Sequence, residues 1–270
     1  FFDTPRAIVL GGSELLIDKT VAIVGPGAHK LTISGNQVSR IFKVDTGAGG
    51  RVTLGGLRLT AGNGGDGGAV HLASGSLVIH LCDISGNRAA QGGAVFTNIP
   101  AEGIAVYDSS ISGNSAINNS GGVAIFGSGP NRLERVTLSN NITSSPTGAL
   151  LAGESVTLDS CTLTGNRSNT ATILAIDGVV TLRNTVVGAN RGTDLWFMPA
   201  GAGSFLSEGH NLIGNPGAVT VFNQMGDQTG TAASPLDPRL GPLSHNGGTV
   251  PVHAPLQGSP LLDKGKAIGS

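Results

Sequence analysis

Short apolar runs recur along this chain, and each closes on an asparagine. They read "ISGN" at Ile84 and Ile111, "LSNN" at Leu138, "LTGN" at Leu163 and "VGAN" at Val187. With Asn36 and Asn63 counted in the same place, Asn87, Asn114, Asn141, Asn166 and Asn190 complete a series with intervals of 27, 24, 27, 27, 25 and 24 residues. Counting back from each asparagine, apolar positions form columns. Eight residues before stand Ile79, Val106, Leu133, Leu158 and Leu182; three before stand Ile84, Ile111, Leu138, Leu163 and Val187. Ten before stand Leu77, Ile104, Val156 and Val180, with Asn131 as the exception. Seven before, the residue is polar or amphipathic: His80, Tyr107, Glu134, Asp159 and Arg183. Alternation of this kind predicts strands with one face inward, and a fixed period in the twenties predicts a solenoid.

Helical repeats do not fit, because Gly and β-branched residues fill the units and no 3.6-residue period runs through them. Leucine-rich repeats need regularly placed leucines, where this chain carries Val, Ile, Thr and Gly. The expected fold is therefore all-β, a right-handed parallel β-helix of eight to ten coils, with three short sheets and 24–27 residues per coil. Stacked coils place like residues one strand spacing apart, about 4.8 Å. The seven asparagines are then expected to form a ladder at a bend, in the left-handed conformation, bonding coil to coil through their carboxamides.

The ends read differently. Residues near 7–30 are expected to form an opening coil, "TDLWFMPAGAGSF" from Thr193 an inserted loop, and the Pro-rich stretch after Ala233 extended segments over the last coil. The coils are assigned to residues 1–200, and the last coil with a Pro/Gly-rich segment to 201–270, all on one solenoid.

Composition narrows the partners. Net charge is −1 and charged residues make up 12% of the chain, so no electrostatic pull toward nucleic acid or an anionic membrane is expected. No apolar run is long enough to span a bilayer. Cys82 and Cys161 fall in one column three coils apart, on the order of 14 Å, too far for a disulfide. Both are expected to be free buried thiols. No His or second Cys stands at ligand spacing beside either, so neither a metal nor any other cofactor is expected.

Chemistry has one place to gather. Glu134 and Asp159 are neighbours in the polar column, with Arg183 next, and together they form the alternative catalytic set of a polysaccharide-cleaving enzyme. His80, Tyr107 and Trp196 are the candidates for contact with a sugar. The plainer reading is a solvated charge row, since exposed mixed charge is the ordinary condition of an outer sheet face. His71, His210, His245 and His253 are scattered, with no Ser or Cys at a telling position.

The units "ISGN…GGAV" resemble those of right-handed parallel β-helix surface proteins, including polymorphic outer-membrane and autotransporter-type passengers. The two ends, "LLIDKTVAIVGPGAHKLTISGN" and "EGHNLIG…DPRLGPLSHNGGTVPVHAPLQGSPLLDKG", resemble bacterial choice-of-anchor Q proteins. That resemblance implies an exported bacterial cell-surface protein whose anchor lies outside this segment. A non-catalytic stalk or adhesion module is expected, with an extracellular glycan or surface protein as partner. The same fold resembles that of pectate lyases and polygalacturonases, which implies the alternative, a polysaccharide lyase or glycoside hydrolase.

Overall fold

A computed structural model describes residues 4–266. The chain is an all-β parallel solenoid of about eight turns. Among the described residues every ladder between strands is parallel, and the antiparallel contacts are two isolated bridges near the C-terminus. One face, here called face A, is a ten-stranded sheet running from Arg6–Val9 to Gln228–Thr229. Faces B and C run on into each other through long strands such as Val70–His80.

The apolar columns point inward. Ile79, Val106, Leu133, Leu158 and Leu182 are fully buried, as are Ile84, Ile111, Leu138, Leu163 and Val187. Period-2 alternation does this directly: once one position faces the core, its neighbours two away must also. Asn131 is inward too. Its Oδ1 accepts from Ile104 N–H at 3.2 Å, and its Nδ2 donates to Gly127 and Ser155 carbonyls at 3.1 Å each. A buried carboxamide is tolerated there because both its ends are bonded.

Asparagines form a ladder across five windings. Nδ2 of Asn87 donates to Oδ1 of Asn114 at 2.9 Å, Asn114 to Asn141 at 3.0 Å, Asn141 to Asn166 at 3.1 Å and Asn166 to Asn190 at 3.0 Å. Asn36 and Asn63 are not members. Thr60 pairs with Ser85, so the residue stacked under Asn87 is Gly62; Asn63 pairs with Arg88 and is exposed. Asn36 shares the column of Gly62, where no side chain exists to meet it, and it too is exposed. The first intervals are thus 26 and 25 residues, a one-residue correction that turns a side chain to the other face.

The left-handed residue of this corner is the one before the ladder asparagine. Ala61, Gly86, Gly113, Asn140, Gly165 and Ala189 have φ between 51° and 67°. A second left-handed column, Gly56, Leu81, Asp108, Arg135, Ser160, Asn184 and His210, has φ between 47° and 59°. Each short strand of face A from Arg58–Thr60 onward thus begins after one left-handed residue, and most end on another. Only the stacking above and below explains Leu and Arg in a conformation that costs about 1–2 kcal/mol each.

At the "GGAV" corner the coils approach backbone to backbone. A Cβ on Gly93 would lie 2.2 Å from the Gly121 carbonyl oxygen, which is why small residues fill that column.

Two expectations at the C-terminal end are corrected. "TDLWFMPAGAGSF" is not an insertion but part of a winding, with a turn only over 198–203: Arg191–Phe197 pairs with Arg167–Ala175, and Ser204–Ser207 with Val179–Leu182. The Pro-rich segment begins over the last coil as expected, with Leu236 N–H donating to the Gly214 carbonyl at 3.0 Å, but does not stop there. It runs back along the outside of face A as a strap. Pro238 packs on Gly188, His253 reaches Ser139, and Leu243 lies by Thr60, Ser85 and Ser112. Antiparallel bridges Leu240–Pro255 and Ser244–Val252 fold the strap on itself.

Candidate functional site

The polar column on face C is in register. His80 pairs with Tyr107, Tyr107 with Glu134, Glu134 with Asp159 and Asp159 with Arg183. Alternation places these residues outward, beside the inward Ile79, Val106, Leu133 and Leu158.

Their charges are already matched. Arg135 grips Asp108 through two bonds, Nε to Oδ1 at 2.5 Å and Nη2 to Oδ2 at 3.0 Å, and also contacts Glu134. Arg132 lies 2.7 Å from Glu134 Oε2 and 3.3 Å from Asp159 Oδ2. Arg183 contacts Asp159 and stands 3.7 Å from Glu208. Acid and base alternate without a break from Asp108 to Glu208. Arg183 beside it holds the Asp159 carboxyl below the ordinary value, with Ser160 and Arg132 adding to the pull against the cost of its burial. A general acid needs the opposite shift. Asp159 is thus held ionised among Arg183 and Arg132, which is unsuited to a general acid.

His80 lies across Gly55, where a Cβ would come within 2.3 Å of its ring. Trp196 is placed elsewhere, on the outside of face B. There it continues a column that runs His71, Phe96, Ala124, Leu151, Leu174. Phe96, Ala124, Leu151 and Leu174 make a second, outer apolar cluster with Phe126 packed against it. Beside Trp196, Phe197, Pro199, Ala218 and Val219 line an apolar hollow of about 150 Å³. The candidates His80, Tyr107 and Trp196 thus fall on two faces and share no site.

Cys82 and Cys161 are buried, unbridged thiols. Each donates to a carbonyl of the preceding winding, Leu54 at 3.6 Å and Leu133 at 3.4 Å. Burial pushes both up to about 12. Among the described residues no three His, Cys, Asp or Glu side chains stand close enough to hold a metal.

One constellation was not legible in sequence. Ser139 Oγ and His253 Nε2 are 2.8 Å apart although 114 positions separate them, and His253 Nδ1 is 2.7 Å from the Gly241 carbonyl. Asn140 Nδ2 also donates to Ser139 Oγ at 2.8 Å. The trio has the connectivity of a nucleophile, a base and an orienting group. Ser139 is fully buried beneath the strap, so its hydroxyl is a fastening point and not a nucleophile open to substrate. Only the path of the strap brings the pair together, and no spacing signal announces it.

No family model, curated protein or solved structure matches this chain.

Proposed function

We propose that the chain is a non-catalytic, exported rod of the bacterial cell surface, a stalk or adhesion module held by an anchor outside this segment. The single observation that carries this is the closed alternation of acid and arginine from Asp108 to Glu208. It ties up Glu134 and Asp159, the neighbouring carboxylates that such chemistry would draw on. The sealed ladder and continuous parallel sheets suit a part whose work is length and stiffness. The resemblance of both ends to choice-of-anchor Q proteins supports the surface location and the anchor.

The test is a panel of polysaccharides scored for binding and for newly formed reducing or unsaturated ends. Binding or inertness without cleavage is expected. Cleavage abolished by Glu134→Gln would replace this reading with the hydrolase or lyase.

A further inference from the structure

The N-terminal end of the rod is open. Among the described residues its first winding, Arg6–Val9, Leu15–Ile17 and Val21–Val24, pairs on one side only, with Leu31–Ser34, Phe42–Asp45 and Arg51–Gly55. Ile8, Leu15 and Val21 stand over the buried Ile33, Phe42 and Val52 in the core columns, yet are between 36% and 50% exposed. The outward residues of this winding are apolar as well. Val9, Leu16 and Val24 are exposed where the next winding carries Ser34, Lys43 and Gly55. Strands apolar on both faces belong in an interior. Open edges are ordinarily blunted by Lys or Pro, and these three strands hold neither.

The opposite end differs. There Val219 and Phe222 are buried members of the core, and the Asn215 carbonyl takes the Asp194 N–H at 2.8 Å. The rod thus has one uncovered end of its core, and head-to-tail stacking would set that end against a closed one.

We infer that a second copy of this chain covers the open end, N-terminus to N-terminus. The backbone selects this partner. The N–H groups of Arg6, Leu10, Leu15 and Gly25 donate to the next winding. Alternate residues of a parallel ladder point the other way, so Ala7, Val9, Leu16, Ala22 and Val24 turn their N–H and C=O groups to the open side. A two-fold axis crossing face A at Ile8 lays that strand antiparallel on its own copy and exchanges faces B and C. Ala7 then meets Val9 of the second copy, and Leu16 meets Ala22, each pair free to exchange two hydrogen bonds. The same register sets Ile8 on Ile8, Leu15 on Ile23 and Ile17 on Val21, all facing inward, so the two cores join. Val9 and Leu16 lie along the outside of the seam against alanines. Every open group meets a like segment, and the two-fold closes the assembly at two rods. The inference goes beyond the stalk reading and does not depend on it.

The test is sedimentation velocity and light scattering on the whole chain at rising micromolar concentration. A shift from one chain to two is expected, with no larger species. Leu16→Lys and Val24→Lys, at exposed outward positions, bring charge to the seam. Each is expected to raise the dissociation constant about tenfold or more, with folding intact by circular dichroism. Trp196→Ala, at the apolar hollow of face B, is expected to leave it unchanged. Ile8→Cys meets its own copy and is expected to cross-link into dimers under mild oxidant, while the exposed Met225→Cys is not. A native chain that stays single at every concentration would overturn the pairing and leave the stalk. Dimers that survive both lysines, are lost in Trp196→Ala or cross-link through Met225→Cys would overturn the N-terminal seam, as would longer rows of rods.

Discussion

Asn190 hands the asparagine ladder to Asp194: its Nδ2 donates to Asp194 Oδ1 at 2.9 Å. The other oxygen, Oδ2, accepts the backbone N–H of Asn215 at 2.6 Å. A ladder of carboxamides always has one acceptor and one donor left over at its ends. Here the last donor is met by a group that can only accept when ionised, on a residue 2% exposed. Burial pushes Asp194 up to about 6, against the donors that hold it down.

Asp194 therefore makes stability fall as pH rises. Its folded value lies above the ordinary 3.8, so between pH 3.8 and about 6 the folded state holds more protons than the unfolded chain. Its contribution is greatest below 3.8, shrinks through that window and is flat above it. The difference is about 3 kcal/mol. Burial also raises Asp83, with the same sign, while Asp159 is lowered and acts below 3.8. The effect is accordingly read by comparison with Asp194→Asn. Urea midpoints from pH 3.5 to 8 are expected to fall across the window in the native chain and to lose most of that slope in the variant. Equal slopes would mean that Asp194 titrates normally.

The ladder itself is separable from the asparagines that only resemble its members. Asn141 is fully buried; its Oδ1 accepts from Asn114, and its Nδ2 donates to Asn166 and to the Ile111 carbonyl. Asn141→Ala strands several buried groups and is expected to cost about 3 kcal/mol. Asn36→Gly, which suits its φ of 56°, and Asn63→Ala, both at exposed positions, are expected to stay within about 0.5 kcal/mol of the native chain. Thermal melts of the three variants measure this directly. Equal losses at Asn63 and Asn141 would restore the seven-member ladder.

The left-handed column before the ladder offers a gain. Ala189 has φ of 56° and is exposed, in the column that Gly86, Gly113 and Gly165 occupy elsewhere. Ala189→Gly removes one methyl and the strain of a Cβ, and is expected to add about 0.5–1 kcal/mol. Gly165→Ala reverses the exchange where a Cβ would also press on Asn140 Oδ1 at 2.5 Å, and is expected to cost at least about 1 kcal/mol. Chemical unfolding of the pair decides it; a loss in Ala189→Gly contradicts the strain argument.

Much of this was legible because a solenoid repeats its signal. A single apolar run is ambiguous, but five in one register fix which residues face inward, and the buried columns from Ile79 to Leu182 follow from that alone. Asn63 misled because "GN" before a Gly-rich turn looks the same whether or not it is in register, and one residue is enough to change face. The Thr193–Phe205 stretch misled for a different reason: the repeat's Asn and Gly marks vanish there, although pairing continues. The strap and the Ser139–His253 contact were out of reach, since residues 114 positions apart meet through a path that no period encodes. The outer column of Phe96, Leu151 and Leu174 carried no mark of its own in sequence, because composition does not tell the inside of a face from a covered outside.

The acid–arginine chain predicts unequal costs along its length. Glu134 has two arginines beside it and is 20% exposed at its side chain, so Glu134→Gln is expected to change stability by no more than about 1 kcal/mol, and less in high salt. Asp159 is 8% exposed at its side chain and depends on Arg183 and Arg132. Arg183→Leu removes the partner that chiefly holds it ionised, leaving a buried carboxylate with one guanidinium at 3.3 Å, and is expected to cost about 2 kcal/mol or more. Restoring neutrality at the acid, in Arg183→Leu with Asp159→Asn, is expected to recover part of that loss. A double-mutant cycle in urea measures the coupling. If the double variant is no more stable than Arg183→Leu alone, the carboxylate was never the liability, and the network is ornamental to the fold.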